Sequence, residues 1–190
     1  MNISALSTLF LRAASHVLDL EGGFVDNKSD KGGKTNYGIS DARDGKKDGL
    51  VDLDNDGKGD IPPQKLTKEQ ALEIYYKEYW QPCRCGELPP AIAIFLFDAA
   101  VNHGVATACK MLQRKLNVLA DGKIGHITIK AVNTKNLDEL LINLLTERAY
   151  FYHAIVQANS SQAVFLDGWF ARLFRLSQFI NSFSQPPQPV

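Results

Sequence analysis

The sequence is poor in cysteine, with three thiols in 190 residues, and it has no excess of either charge: 21 Lys and Arg face 21 Asp and Glu. An odd thiol count in a chain of this length excludes the disulfide framework of small secreted domains. Cys83 and Cys85, one residue apart, are too close to bridge without strain. The same narrow gap disfavours zinc held by Cys83, Cys85, Cys109 and His103, so buried thiols are expected. Zero net charge excludes an overall basic nucleic-acid binder. Long apolar runs are missing too. The longest, Ala91–Phe97, is seven residues, far short of the roughly 18–20 that span a bilayer. Met1–Leu20 has no basic leader and breaks its apolar residues with Ser, Thr, Arg and His, which excludes a secretory signal. The expectation is a soluble protein, synthesised in the cytoplasm without a signal peptide and acting elsewhere only after export or release. No Gly-rich phosphate loop, His-Glu-x-x-His pair or nucleophilic serine elbow occurs.

What is present is globular in composition, 45% hydrophobic and 22% charged. Leu6, Leu9, Phe10, Ala13, Ala14, Val17 and Leu20 recur at the spacing of one helical face, and Glu21-Gly22-Gly23 ends that helix. Residues 24–63 show no helical period and predict a functional loop or a small β-hairpin region. Thr67-Lys68-Glu69-Gln70 is a capping box opening a helix to about Trp80. Further helices are predicted over Ala91–His103, Val105–Leu116, a short stretch after Thr128, Leu137–Ala158 and Phe165–Phe183. The Ala91–His103 helix is apolar nearly all round and should be the buried central one. The fold class is therefore mostly α, with an irregular or small β region near the N-terminus. The first hundred residues carry the acidic excess and the rest the basic one.

Within that acidic part, Glu21 follows Val17 and Ala14 on the apolar face of its helix. Partial desolvation and the negative end of the helix dipole both disfavour its charged form, as a general acid near neutral pH requires. Asp30 sits in a polar stretch and should be ionised. Thr35 offers a hydroxyl to hold water, and Tyr37 a ring on which a sugar can stack. One protonated and one ionised carboxylate beside a cleft is the arrangement for glycosidic hydrolysis. Asn102 and His103, at a helix end, are candidates to line such a cleft. Asp98 interrupts an apolar run and should be a buried, hydrogen-bonded structural carboxylate.

A second acidic motif, Asp52-Leu53-Asp54-Asn55-Asp56-Gly57-Lys58-Gly59-Asp60, follows the start of a calcium loop, with Asp52, Asp54, Asp56 and Asp60 at positions 1, 3, 5 and 9 and glycine at 6. Position 12 is Pro63 rather than the bidentate glutamate. Weak structural calcium binding and a solvated acidic loop both fit. No cofactor is expected to be required.

The run Glu21-Gly22-Gly23-Phe24-Val25-Asp26, then Asp30-Lys31-Gly32-Gly33-Lys34-Thr35-Asn36-Tyr37-Gly38-Ile39, resembles the signature of glycoside hydrolase family 108. These are peptidoglycan N-acetylmuramidases, often prophage-borne and sometimes labelled secretion activator proteins. The resemblance continues at Tyr79-Trp80, Phe97–Gly104, Leu112-Gln113, Asp121–Gly125 and Gly168–Arg172, the last two similar to the family's peptidoglycan-binding region and closing motif. It implies a lysozyme-like helical fold in two lobes, a catalytic lobe over 1–104 with an acidic insertion at 41–63 and a peptidoglycan-binding lobe over 105–184; the proline-rich end, 185–190, predicts a loose tail. The resemblance also implies an endolysin-like muramidase that hydrolyses the β-1,4 bond between N-acetylmuramic acid and N-acetylglucosamine, with Glu21 as the acid. The partner would be the glycan strand, and the protein a monomer. The spacing Glu21-x8-Asp30-x4-Thr35 is similar to the triad of phage-type lysozymes, one residue shorter in its last gap; that similarity implies inversion. A lytic transglycosylase using Glu21 alone, and a non-catalytic wall-binding or secretion-accessory protein, are the alternatives.

Overall fold

The computed structural model describes residues 6–21, 35–41, 45–46 and 48–184, without the side chains of Glu21 and Ser184. The chain divides into two compact units, Met1–Glu78 and Tyr79–Val190.

In the first unit, α1 (Thr8–Glu21) buries Phe10, Ala13, Ala14, Val17 and Leu18, the face set by the sequence periodicity. Ser7 starts it by accepting the Phe10 N–H at 3.2 Å. The helix packs on α2 (Lys68–Tyr75), with Phe10 edge-on to Tyr76 at 5.0 Å. The capping box at Thr67 is formed in full: Thr67 Oγ1 accepts the Gln70 N–H at 3.2 Å and Gln70 Oε1 accepts the Thr67 N–H at 2.9 Å. Beyond Tyr75 the helix widens into one π turn, Tyr76–Trp80. Between α1 and α2 lies the small β region, an antiparallel pair of β1 (Thr35–Asn36) and β2 (Ile39–Ser40). Its two-residue turn, Tyr37 at φ 53 and Gly38 at φ 71, has both central residues left-handed, the turn that matches strand twist in tight hairpins. The acidic segment is closed by an antiparallel bridge between Val51 and Ile61. Gly59 lies so close to Leu50 that an added Cβ would be 2.3 Å from the leucine Cβ, so only glycine fits.

Among the described residues of the second unit, every regular element is a helix. The unit contains α3 (Pro90–His103), α4 (Val105–Leu116), α5 (His126–Val132), α6 (Leu137–Ala158) and α7 (Leu166–Ser184). A short 3-10 turn at Cys85–Glu87 leads into α3, and another at Ser160–Phe165 joins α6 to α7. Helix α3 buries every residue from Ile92 to Ala100, and α4, α6 and α7 pack around it. At about 1.5–3 kcal/mol per large apolar side chain removed from water, this one helix organises the unit. That packing places α3 in the second unit, although the resemblance groups it with the catalytic lobe. Seven α helices and one two-stranded sheet among the described residues make the protein mostly α. None of these helices is long and apolar enough to cross a membrane.

Candidate active site

Glu21 is the last residue of α1. Its side chain, Asp30 and the rest of 22–34 lie outside the described residues. Thr35 opens β1, half-buried, and Tyr37 sits half-buried at the hairpin turn. Two side chains fix this hairpin to its own unit. The Tyr75 hydroxyl donates to the Tyr37 carbonyl at 2.9 Å, from the last turn of α2. Asn36, only 8% exposed, donates through Nδ2 to the Pro63 carbonyl at 3.0 Å. Thr35 and Tyr37 are thus carried on a short ribbon held at both its strand and its turn. The aromatic run on α2 predicts core packing for Tyr75; the structure adds the anchoring role, which the sequence does not signal.

Asn102 and His103, at the end of α3, belong to the second unit and point into a buried polar network there. At its centre is Arg148 of α6, with no exposed surface. Arg148 donates to Asp98 Oδ1 at 2.6 Å, to Asn102 Oδ1 at 3.2 Å and to His103 Nε2 at 3.1 Å. Arg172 of α7 approaches the other Asp98 oxygen at 3.0–3.1 Å. Burial pushes the Asp98 carboxyl up, but Arg148 and then Arg172 outweigh it and hold the group below the usual carboxylate range. Burial first, and then the Arg148 charge, push His103 down to about 3. His103 is therefore a neutral acceptor for an arginine, neither a base nor a cation near neutral pH. The Asn102 oxygen is taken by Arg148 and by the Tyr152 hydroxyl at 3.4 Å. Both residues brace α3 against α6 rather than offering these polar atoms to a sugar. Trp169 stacks on Tyr152 at 5.2 Å and Phe165 on Trp169 at 6.0 Å, and Phe165 is half exposed.

The acidic loop brings Asp52, Asp54 and Asp60 together, with one oxygen of each within 4.8 Å of the others. Asp56 does not join them; it accepts the Lys58 N–H and faces the Lys58 ammonium at 3.6 Å. Buried Asp52 accepts the backbone N–H groups of Asn55 and Gly57 at 2.6 and 2.9 Å, and Asp60 accepts that of Leu53 at 2.8 Å. Three convergent oxygens suit a hard cation such as calcium, so the donor set is one carboxylate smaller than the sequence spacing suggests.

The Asp121–Gly125 segment is a turn locked onto α4 by Gln113. The Gln113 amide donates to Asp121 Oδ1 at 2.7 Å and to the Lys123 carbonyl at 2.9 Å, and its oxygen accepts the Gly122 N–H at 2.8 Å. The Gln113 amide, followed by the Lys123 N–H, holds the Asp121 carboxyl below its usual range. Beside this turn Val118, Leu119, Lys123, His126, Ile127 and Thr128 line a depression of about 150 Å³, with Leu119 and Ile127 largely exposed.

The family model described as glycosyl hydrolase 108 matches residues 14–104. A solved structure, that of Brucella abortus SagA, is 32% identical with a TM-score of 0.74 and covers 94% of this chain and 97% of that one. The chain belongs to the glycosyl hydrolase 108 family. A second family model, described as a predicted peptidoglycan domain, matches residues 107–174. No curated protein matches the sequence. The first match ends at Gly104, between α3 and α4, and the second begins at Thr107, in the first turn of α4; together they make the protein a glycosidase that acts on peptidoglycan. The Tyr37–Gly38 turn, the Asp98, Asn102 and His103 side chains and the Glu21 end of α1 fall in the glycosidase match, while Arg148, Arg172 and the Gln113-locked turn fall in the peptidoglycan match.

Proposed function

We propose that the protein is an N-acetylmuramidase that hydrolyses the β-1,4 bond between N-acetylmuramic acid and N-acetylglucosamine in cell-wall glycan. The observation that carries this reading is the glycosidase match over residues 14–104, which includes the Glu21-to-Ile39 motif. Glu21 donates a proton to the leaving oxygen; its place at the carbonyl end of α1 favours the neutral, proton-bearing form. Asp30 steadies the oxocarbenium charge or activates water, Thr35 holds that water, and Tyr37 stacks on a sugar. Inversion would place the two carboxyl groups about 6.5–9.5 Å apart, and retention about 5–5.5 Å. The test is clearing of purified walls by the wild type and by Glu21→Gln, with mass spectrometry of the fragments. The variant should be slower by about 10²–10⁴-fold, and wild-type products should carry reducing muramic ends. Equal clearing by both proteins sinks the acid assignment, and anhydro-muramic ends would show transglycosylation in place of hydrolysis.

The second unit supplies affinity for the wall. The depression beside the Gln113-locked turn, with exposed Leu119 and Ile127, is its candidate contact surface. Asp52, Asp54 and Asp60 hold calcium in a structural role beside α2. The protein works as a monomer, made in the cytoplasm and reaching the wall after export or release.

A further inference from the structure

The three thiols take no part in the chemistry proposed above, yet two of them are in contact. Cys83 and Cys109 place their sulfurs 3.8 Å apart, and Cys83, Cys85 and Cys109 are all free and have no exposed surface. Cys109 is fixed inside α4. Cys83 sits in the irregular turn between the π turn and the Cys85–Glu87 3-10 turn, held by its N–H to the Tyr79 carbonyl at 3.2 Å. The next residue, Arg84, is left-handed at φ 48, a conformation disfavoured for any side chain with a Cβ. Among the described residues, the group of three or more His, Cys, Asp or Glu ligand atoms lying within 4.8 Å of one another is Asp52, Asp54 and Asp60, and the thiols do not form another. A disulfide needs the sulfurs at about 2.05 Å, so oxidation has to close the 3.8 Å gap between Cys83 and Cys109. Cys85 is one residue from Cys83 and cannot pair with it without strain.

We propose that Cys83 and Cys109 are a disulfide-forming pair that ties the 81–88 turn to α4 under oxidising conditions. The oxidant is a low-molecular-weight disulfide. When the turn opens, the Cys83 thiolate attacks the oxidant, forms a mixed disulfide and expels one thiolate. The Cys109 thiolate then attacks the Cys83 sulfur and expels the second. Two protein thiols lose two electrons and two protons, and the oxidant leaves as two thiols. In the closed state both groups stay protonated: pairing with Cys83 and then burial hold the Cys109 thiol far above the usual range. Exchange therefore waits for opening, and it is slow in native buffer and faster in mild urea.

The experiment oxidises the full chain with oxidised glutathione. It then counts thiols after denaturation, maps the linked peptides by mass spectrometry and measures Tm. The expected result is a fall from three free thiols to one, a Cys83–Cys109 peptide, and a Tm higher by about 10 °C that dithiothreitol reverses. That shift follows from cross-linking positions 26 apart in a chain of this size. Cys85→Ser should keep the link and the shift, while Cys83→Ser and Cys109→Ser lose both. Glutathione adducts alone, links between chains, a link through Cys85, or a Cys83–Cys109 link without a rise in Tm would each overturn the proposal. The wild-type map is decisive even if a serine variant folds poorly.

Discussion

Acid should loosen the second unit through a single histidine, and the size of the effect follows from the structure. His103 has an ordinary value of 6.5 and is pushed down to about 3 by burial and by the Arg148 guanidinium. Between those two values the unfolded chain holds a proton that the native chain refuses. Stability from this group is therefore complete above about pH 6.5 and is lost as the pH falls towards 3, at up to about 1.4 kcal/mol per unit. Integrated from pH 7 to pH 5, the loss is about 2 kcal/mol. His103→Gln keeps an oxygen to accept from Arg148 but cannot titrate. Both tryptophans, Trp80 and Trp169, lie in the second unit, so urea unfolding followed by tryptophan fluorescence reads that unit. Carboxylates titrate in both proteins and cancel in the difference. Wild type should lose about 2 kcal/mol more than the variant between pH 7 and pH 5. Parallel losses in the two proteins would refute a neutral, arginine-bound His103.

Asp98→Asn strips two arginines, one of them wholly buried, of their counter-charge; urea unfolding should show a loss of about 3–5 kcal/mol, and a loss under 1 kcal/mol would contradict the network. Tyr75→Phe removes the donor to the Tyr37 carbonyl; the expected cost is about 1 kcal/mol in unfolding, with wall clearing several-fold slower, and unchanged clearing would show that the hairpin needs no anchor. Calcium at 10 mM should stabilise the first unit by about 1.4 kcal/mol if binding is near the millimolar range of weak extracellular sites. Asp60→Asn and chelation should each remove that increment in thermal unfolding, and a wild type indifferent to calcium would leave the acidic loop as solvated surface.

Much of the fold was legible because short-range rules set it. The helices over Val105–Leu116 and Leu137–Ala158 begin and end where glycine, asparagine and the apolar period place them. The capping box at Thr67 formed as its four residues specify. The π turn at Tyr76–Trp80 was not legible, since a single i→i+5 turn leaves no period of its own in five residues. The 24–63 stretch predicts a functional loop or a small hairpin region; among its described residues Tyr37–Gly38 forms a hairpin turn, and strands only two residues long leave no alternation to read. Family motifs around Glu21 were legible from residue types and spacing, but a carboxylate's partner is a matter of tertiary structure. Asp98 shows this. Its position in an apolar run signalled a buried structural carboxylate, yet its partner Arg148 lies 50 positions away.

One local signal did point to Arg148, because it shares the buried face of α6 with Leu141, Leu144 and Tyr152. A cation on an apolar stripe must find a counter-charge or unfold the helix around it, and the only acid within α3, the helix at the centre of the unit, is Asp98. That inference is available from two amphipathic patterns read together. It also reassigns Asn102 and His103, which follow Asp98 four and five positions on along α3. Arg148, reaching Asp98 from α6, also meets those two side chains, so Asn102 Oδ1 and His103 Nε2 are committed to it before any sugar arrives.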